Sequence, residues 1–428
     1  MNTAFYPGMV LVSLTAIAAG GATIVLRDPG GALGATQAPV VATLALSKSE
    51  RRAAVEGRLQ IREVPSFDSS RKPAVPVQLL SAPQGGAPVR LCWLLSHGSE
   101  SPRRFRLHQV RPAPMSDVVA SQDARSGQFD ITDAGQPVLR YNYAPVEPGD
   151  FLTNVTPANR IYARARSDYI HPLFGLDGET LTKDWSKDHP HHRGIYWAWP
   201  EVDWRGRRGD LHALQHVFAW PAGKCVVTSG PVFAQLEAEN VWKWEDGESL
   251  VHESAVIRAY RATGDDRLLD LEFQFTALND TVSIARRGTE HYGGLNLRLA
   301  SVKDQKIIFH TDGTNAGPRV AWAELSGRFS GAPQPSGLVV LQHAANPCYP
   351  GDWVKYPELN WFQPTFPASG TRYELNKGEP LILRFRLWLH RGAKASDESC
   401  AARWRAYQSP LAPTLFPVHS TLKPKSES

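Results

Sequence analysis

The chain has 428 residues, of which 42% are hydrophobic and 21% are charged, and these proportions exclude extensive disorder outside the two ends. The net charge of +5 is spread over short groups such as Arg51-Arg52 and Arg103-Arg104, which excludes the focused basic patch that nucleic-acid binding requires. A chain of this length favours two domains over a single core.

An uncharged apolar stretch runs from Met9 to Leu26. Its length and small residues predict a secretory signal within residues 1–26, and therefore export to the periplasm or the extracellular space. No Lys or Arg precedes the stretch, so an uncleaved N-terminal anchor stays open as the alternative and would be the route to a membrane. Residues 27–42 are rich in Gly, Ala, Pro and Thr, which indicates a linker.

The four cysteines lie far apart, without the CxxC spacing that is typical of a zinc site. They are Cys92, Cys225, Cys348 and Cys400. In an oxidising compartment one or two disulfides could form, and buried thiols are the alternative.

Short apolar runs alternate with turn clusters over residues 43–112. The runs that begin at Val75, Val89 and Arg104 are typical of strands. They predict a small β-domain, which could be immunoglobulin-like. Because this segment holds no cluster of catalytic residue types, we expect it to be a scaffold or a docking module.

Strand patterns continue over residues 113–410. Period-two alternation is clear in Leu268–Phe275 and in Leu381–Leu389. Helical signal is weak until Ala395–Gln408, where Ser396 is the candidate N-cap, and residues 411–428 form a tail. Antiparallel patterning over such a length predicts an all-β fold with two large packed sheets.

Three of the 14 histidines fall within the motif Asp188-His-Pro-His-His-Arg193. Imidazole is a proton shuttle near neutral pH and a common metal ligand. Pro190 favours an extended backbone at His189, which would point His189 and His191 to one side and His192 to the other. We therefore interpret His189 and His191 as catalytic proton shuttles or, if a divalent metal is bound, as its ligands. An inert turn is the alternative.

Tryptophans follow the histidine motif closely. Trp197, Trp199 and Trp204 offer flat apolar faces of the kind on which sugar rings stack. His192 and Arg193 would orient the oxygens of a substrate. The ligand would be a small molecule or an oligosaccharide.

Further candidates lie in distant segments. Glu290 and His291, at the start of a strand, form a candidate catalytic acid/base pair, with a surface charge pair as the alternative. Additional residues that could contact a substrate are His171, Glu324, His343, Asn346 and Trp353.

Several motifs resemble those of the PmoA-like bacterial family of unknown function. They are His171-Pro-Leu-Phe-Gly175, the segment Asp188–Gly194 with Trp197, the segment Asn346–Trp353 and the stretch Phe362–Phe366. The resemblance covers the whole of the large domain and none of the chain before residue 113. It implies a fold similar to the β-supersandwich of galactose mutarotases and some polysaccharide lyases.

The family resemblance also bears on function. Its members accompany sugar oxidoreductases and sugar isomerases in bacterial genomes, which implies carbohydrate metabolism. We expect a carbohydrate-active protein that performs acid/base chemistry on a sugar or glycoside, by elimination, hydrolysis or epimerisation. A non-catalytic carbohydrate-binding protein is the alternative, in which the tryptophans matter more than the histidines. The label "methane oxygenase" carried by family members gives a third interpretation, a metal-dependent oxygenase.

Overall fold

A computed structural model of the chain describes residues 23–26, 38–64, 74–80, 87–95, 103–111, 117–310, 320–408 and 414–416. The chain divides into two units. The first comprises residues 1–115, 230–232 and 405–428, and the second comprises residues 116–229 and 233–404. No helix within the described ranges is long and apolar enough to span a membrane.

The first unit begins with short strands and one helix. In chain order they are β1 (Thr23–Leu26), β2 (Ala38–Leu44), α1 (Lys48–Val55), β3 (Leu59–Glu63), β4 (Val75–Pro76), β5 (Gln78–Leu79), β6 (Val89–Leu95) and β7 (Arg103–Gln109). Strands β2, β6 and β5 form a three-stranded sheet, while β1, β7, β3 and β4 form a second sheet that the last strand of the chain extends beside β1.

Two features of this unit differ from the sequence predictions. Strand β2 starts at Ala38 and buries Val40 and Ala42, so the linker prediction is wrong for residues 38–42, where apolar residues pair along β6. Helix α1 was not predicted, although Ser47 and Glu50 form a capping box at its start. The last four residues of the apolar N-terminal stretch form β1, and the rest of that stretch lies outside the described residues.

The second unit holds most of the strands. They are β8 (Val118–Gln122), β9 (Phe129–Asp133), β10 (Gln136–Asn142), β11 (Tyr169–Leu173), β12 (Ile195–Ala198), β13 (Glu201–Trp204), β14 (Arg207–Gly209), β15 (Val217–Pro221), β16 (Val226–Thr228), β17 (Phe233–Trp244), β18 (Ser249–Tyr260), β19 (Asp266–Ala277), β20 (Val282–Ala285), β21 (Gly294–Arg298), β22 (Val302–His310), β23 (Trp322–Phe329), β24 (Ser336–Gln342), β25 (Trp353–Tyr356), β26 (Trp361–Pro364), β27 (Arg372–Leu375) and β28 (Leu381–Arg391). The chain then continues into α2 (Asp397–Gln408) and β29 (Thr414–Phe416).

These strands pair antiparallel in three sheets. One sheet has the order β25-β26-β21-β12-β11-β10-β9-β8, and the largest has the order β15-β17-β18-β19-β28-β24-β23-β22 with β16 beside β17. A smaller sheet has the order β14-β13-β20-β27. The all-β prediction is confirmed, as is helix α2, at whose start the backbone N–H of Ser399 donates to the Ser396 hydroxyl.

The main core lies between the two larger sheets. Trp197 on β12 packs edge-on against Phe273 and Phe275 of β19, with ring centroids 5.0 Å away in each case. Side chains alternate along a strand, so the neighbours of an inward-facing residue point away from this core. The opposite face of the eight-stranded sheet therefore carries Tyr196 and Arg298, and the candidate site is built beside this face.

Candidate functional site

The histidine motif forms a tight turn. The backbone N–H of His192 donates to the carbonyl of His189 over 3.0 Å, with Pro190 and His191 at the two central positions. The fixed φ of proline suits the first of these positions. The prediction of an extended segment is therefore wrong, and the turn gathers rings that an extended chain would separate.

A fourth histidine, His212, joins this turn from the loop between β14 and β15. The loop is fixed from two sides. The Asp210 carboxylate accepts from the backbone N–H of Ala213 over 2.7 Å, and the Arg166 guanidinium donates to the carbonyls of Leu211 (3.0 Å) and His212 (2.6 Å). Because these bonds hold the loop backbone, the position of the His212 ring is set by the fold.

The four imidazole rings form one cluster. Ring centroids are 4.6 Å apart for His191 and His192, 4.7 Å for His191 and His212, and 5.1 Å for His192 and His212. His189 stacks on His192 at 4.7 Å. Ligand nitrogens of His191, His192 and His212 all lie within 4.8 Å of one another. This spacing lets the three rings share one small ligand.

The cluster borders a cleft of about 590 Å³. Three aromatic rings form one wall: Trp361 stacks on Tyr356 at 4.8 Å and contacts Tyr292 at 5.4 Å, and it also packs on His192 at 4.8 Å. Polar side chains complete the lining, namely Asn159, Asp188, Arg287 and Glu358. Apolar ring faces beside a few polar groups are the usual composition of a small-molecule site.

The three inner histidines are neutral at physiological pH. Burial lowers the pKa of His191 to about 3, and the charges of Arg166 and His189 add to this effect. Burial and the neighbouring imidazoles also hold the pKa values of His192 and His212 well below the ordinary value. Each ring therefore keeps a nitrogen lone pair that can bind a proton or a cation.

His189 lies at the edge of the cluster and differs from the other three histidines. Its side chain is 38% exposed, and its Nδ1 lies 2.9 Å from a carboxylate oxygen of Asp188. Partial burial alone would raise the pKa of Asp188, but the contact with His189 keeps it below the ordinary value. A carboxylate at Nδ1 orients the ring and leaves Nε2 for the cleft, which is the usual arrangement of an acid/base histidine.

The three tryptophans predicted to bind sugar are buried instead. Trp197, Trp199 and Trp204 are 2%, 0% and 3% exposed and belong to the main core. The prediction is wrong because alternation along β12 turns Trp197 towards the core between the two larger sheets. Trp361, which sequence reasoning passed over, takes the place expected of these rings.

Arg193 and His171 lie beside the turn rather than in the cleft lining. The Arg193 guanidinium is fully buried, pairs with Asp184 and lies 3.5 Å above the ring of Trp185. His171 bonds through Nδ1 to the hydroxyl of Thr182 over 3.0 Å. Both side chains therefore bind neighbouring residues of the protein and do not line the cleft.

Glu290 and His291 are exposed, and their backbone carbonyls accept hydrogen bonds from Arg286. Their side chains are not part of the cleft lining, although the adjacent Arg287 and Tyr292 are. The segment 287–292 therefore contributes Arg287 and Tyr292 to the cleft, and not the predicted pair Glu290 and His291.

The remaining candidates serve other parts of the second unit. Glu324 is fully buried against His310, 2.8 Å away. His343 accepts from the backbone N–H of Ala345, and Asn346 binds the backbone of Arg384 on β28. Trp353 donates to the carbonyl of Val320 over 2.7 Å. None of these four candidates, all of them in described segments, lines the histidine cleft.

The comparisons with known proteins place the chain in a family. A model of DUF6807, a family of unknown function, matches residues 128–405. The match spans more than half of the chain and contains the whole histidine cleft, so the chain belongs to this family. No curated protein matches the sequence.

Proposed function

We propose that the chain is a carbohydrate-active protein that performs acid/base chemistry on a sugar or glycoside in the histidine cleft. The observation that carries the proposal is the convergence of four imidazole rings beside the aromatic wall of Tyr292, Tyr356 and Trp361. The reaction would be an elimination, a hydrolysis or an epimerisation, since each needs a proton moved at a sugar carbon or oxygen.

The aromatic wall supports a sugar as the ligand. Sugar rings carry apolar C–H faces that pack on aromatic rings, while their hydroxyls need polar partners. Tyr356 is half-buried and Arg287 is exposed, so both can meet a ligand. Arg287 donates to Asp210 over 2.6 Å, which leaves further guanidinium N–H groups for sugar oxygens.

The Asp188–His189 pair supports proton transfer. Asp188 would hold the imidazole of His189 in one orientation, and Nε2 would exchange a proton with the substrate. His191, His192 and His212 would stay neutral and face the reacting part of the sugar. Two further points belong to this proposal: a relationship with PmoA-like proteins, supported by the sequence motifs, and export, supported by the apolar stretch Met9–Leu26.

A screen of glycosides and keto-glycosides with the purified chain tests the proposal. On any substrate found, His189→Ala should lower turnover by about 10²–10⁴-fold, the usual contribution of a positioned proton donor or acceptor. Tyr356→Ala should chiefly raise KM. His291→Ala is the matched control, since that histidine is exposed and outside the cleft lining.

The screen also separates the enzyme from a binding protein. A chain that binds sugars through Tyr356 and turns none over would be a carbohydrate-binding protein, and the catalytic part of the proposal would be wrong. Folded His189→Ala protein with wild-type turnover would refute the acid/base role. A chain that neither binds nor converts any sugar in the panel would overturn the proposal as a whole.

A further inference from the structure

We infer that His191, His192 and His212 are the ligands of a divalent transition-metal ion at the floor of the cleft. The sequence motif alone suggested His189 and His191 for such a role, whereas the fold replaces His189 with a histidine from a separate loop. The inference goes beyond the proposed function, because metal binding can be measured without any carbohydrate.

The spacing of the nitrogens is close to that of a metal site. Zinc binds histidine nitrogens at about 2.0–2.1 Å, so two ligands of a tetrahedral ion are about 3.4 Å apart. The nitrogens of His191, His192 and His212 lie within 4.8 Å of one another. Binding of an ion would therefore require the rings to turn about their side-chain bonds and draw these nitrogens closer together.

Two of these rings hold a polar atom that needs a partner. Within the described residues, Nδ1 of His191 and Nδ1 of His192 are buried and have no hydrogen-bond partner. An unsatisfied buried polar group carries a free-energy cost, because it has lost its hydrogen bonds to water and gained none within the protein. Coordination of a metal by one nitrogen of each ring would offset that cost, and hydrogen bonds among the side chains present do not.

The third ring is already oriented for coordination. The hydroxyl of Tyr196 lies 3.2 Å from Nδ1 of His212, which leaves Nε2 for the metal. A second hydrogen bond at the remote nitrogen is the usual partner of a metal-bound histidine, because it fixes the orientation and tautomer of the ring. Arg166 donates a hydrogen bond to the backbone carbonyl of His212. The backbone and the ring of His212 are therefore each held by a separate hydrogen bond.

The donor set selects the class of ion. Imidazole nitrogens suit Zn²⁺, Cu²⁺, Ni²⁺ and Fe²⁺, whereas Mg²⁺ and Ca²⁺ prefer oxygen ligands. Three protein ligands leave at least one coordination position for water or substrate, as in catalytic sites. That position would face the cleft. A bound ion would supply Lewis acidity towards a ligand oxygen.

The charges around the three histidines are mixed, since Arg166 places positive charge near His191 and His212 while carboxylates offset other arginines. Arg287 is paired with Asp210 at 2.6 Å, so part of its positive charge is offset. Asp188 and Glu358 line the same cleft and place negative charge opposite the buried Arg298. These carboxylates reduce the repulsion that the arginines would exert on a bound ion.

The inference is tested by measuring metal binding to the full chain after a chelator has removed any bound ion. Titration calorimetry with Zn²⁺ should give one equivalent per chain, and Co²⁺ should give the visible absorption of a nitrogen-ligated ion. Tyr196→Phe should weaken Zn²⁺ binding by about 10–100-fold, the usual effect of losing an outer partner. His212→Ala and His191→Ala should weaken it more than Tyr196→Phe does.

The control is His216→Ala, a change in the same loop. His216 is exposed and pairs with Glu245 at 2.5 Å, so its loss should leave Zn²⁺ affinity unchanged. Wild-type protein that takes up no stoichiometric Zn²⁺ or Co²⁺ would overturn the inference, as would His212→Ala protein with wild-type affinity. If His212→Ala does not fold, as judged by circular dichroism, His191→Gln gives the same decision. Tight metal binding without turnover of any sugar would contradict the proposed function alone.

Discussion

The hydroxyl of Tyr196 on β12 lies 3.2 Å from Nδ1 of His212, a residue 16 positions later in the chain. Tyr196 belongs to a strand of the eight-stranded sheet, whereas His212 belongs to a loop beyond β14. The contact joins the rigid sandwich to the histidine cluster. Tyr196 is buried on the sheet face that points away from the main core. That face therefore supplies the hydroxyl that positions the His212 ring.

The chain should not tolerate a side chain at Gly194, which leads from the histidine turn into β12. Its φ is +66°, and a Cβ there would clash with the Ile170 carbonyl and lie 2.9 Å from Cβ of His171. The left-handed φ costs about 1–2 kcal/mol, and overpacking adds about 1–3 kcal/mol. Gly194→Ala should therefore lower the free energy of unfolding by about 3 kcal/mol in guanidinium titrations.

Gly178 is the matched control for this change. Its φ is +85°, but nothing lies within 4 Å of the position a Cβ would take. Gly178→Ala should cost only the backbone term, about 1–2 kcal/mol. Equal losses in the two variants would show that the Gly194 position is not sterically closed.

Stability measurements should distinguish the core tryptophans from the cleft aromatics. Trp197 contacts Phe273 and Phe275 and is 2% exposed, so Trp197→Ala should cost about 3–5 kcal/mol of unfolding free energy. Tyr356→Ala, at the half-buried cleft wall, should cost about 1 kcal/mol, the typical effect of a single substitution, and should weaken sugar binding. A small effect of Trp197→Ala on urea denaturation would contradict its place in the core.

A buried pair in the second unit should make stability depend on pH. Burial alone would raise the pKa of Glu324, but hydrogen bonds from His310 and His390 lower it to about 2, against an ordinary value of 4.5. The bond with Glu324 raises the pKa of His310 above 6.5, although burial opposes this. The Glu324 contribution, about 3 kcal/mol, is present above pH 4.5 and lost as pH falls towards 2. The His310 contribution is full below pH 6.5 and lost as pH rises through its raised pKa.

Glu324→Gln measures this linkage. Because the variant cannot ionise, the difference in unfolding free energy between wild type and variant should be largest between pH 4.5 and 6.5 and should shrink on either side. Asp177→Asn is the comparison, because the bond with Arg391 at 2.7 Å also lowers the pKa of Asp177. Its contribution should fall at low pH but should not fall as pH rises above 6.5, since arginine stays protonated there. If the difference in unfolding free energy between wild type and Glu324→Gln stays constant from pH 3 to pH 6, the lowered pKa of Glu324 is contradicted.

The sequence predicted those features that depend on local pattern. Alternation in Leu268–Phe275 predicted a strand with one buried face, and β19 has it. The density of histidines in His189–His192 indicated the segment around which the candidate site is built. Local pattern does not determine which face of a strand another sheet will cover, and for that reason the sequence does not distinguish a ligand-binding Trp197 from the core residue that the structure shows.

The site residues that the sequence did not predict, His212 and Trp361, are placed by contacts between distant segments. His212 shares its loop with the exposed His216, and no local pattern distinguishes the two histidines. The role of His212 follows from the Arg166 and Tyr196 contacts that position its backbone and its ring. Trp361 reaches the cluster only because β26 pairs with β21, in the register that sets Arg298 opposite Trp361. No spacing rule within one segment carries this information, whereas the Ser47–Glu50 capping box of α1 was a local signal that could have been used.

Zinc should stabilise the folded chain if the three-histidine site binds it. A ligand present at 100 times its Kd, and bound by the folded state alone, adds about 2.7 kcal/mol to the free energy of unfolding. Zn²⁺ should therefore raise the melting temperature of wild-type and His216→Ala protein alike, and chelation should reverse the rise. His212→Ala should show no such rise at the same Zn²⁺ concentration, because two imidazoles hold the ion far more weakly than three. An equal rise in the His212→Ala variant would place the stabilising ion elsewhere on the chain and count against the assigned ligands.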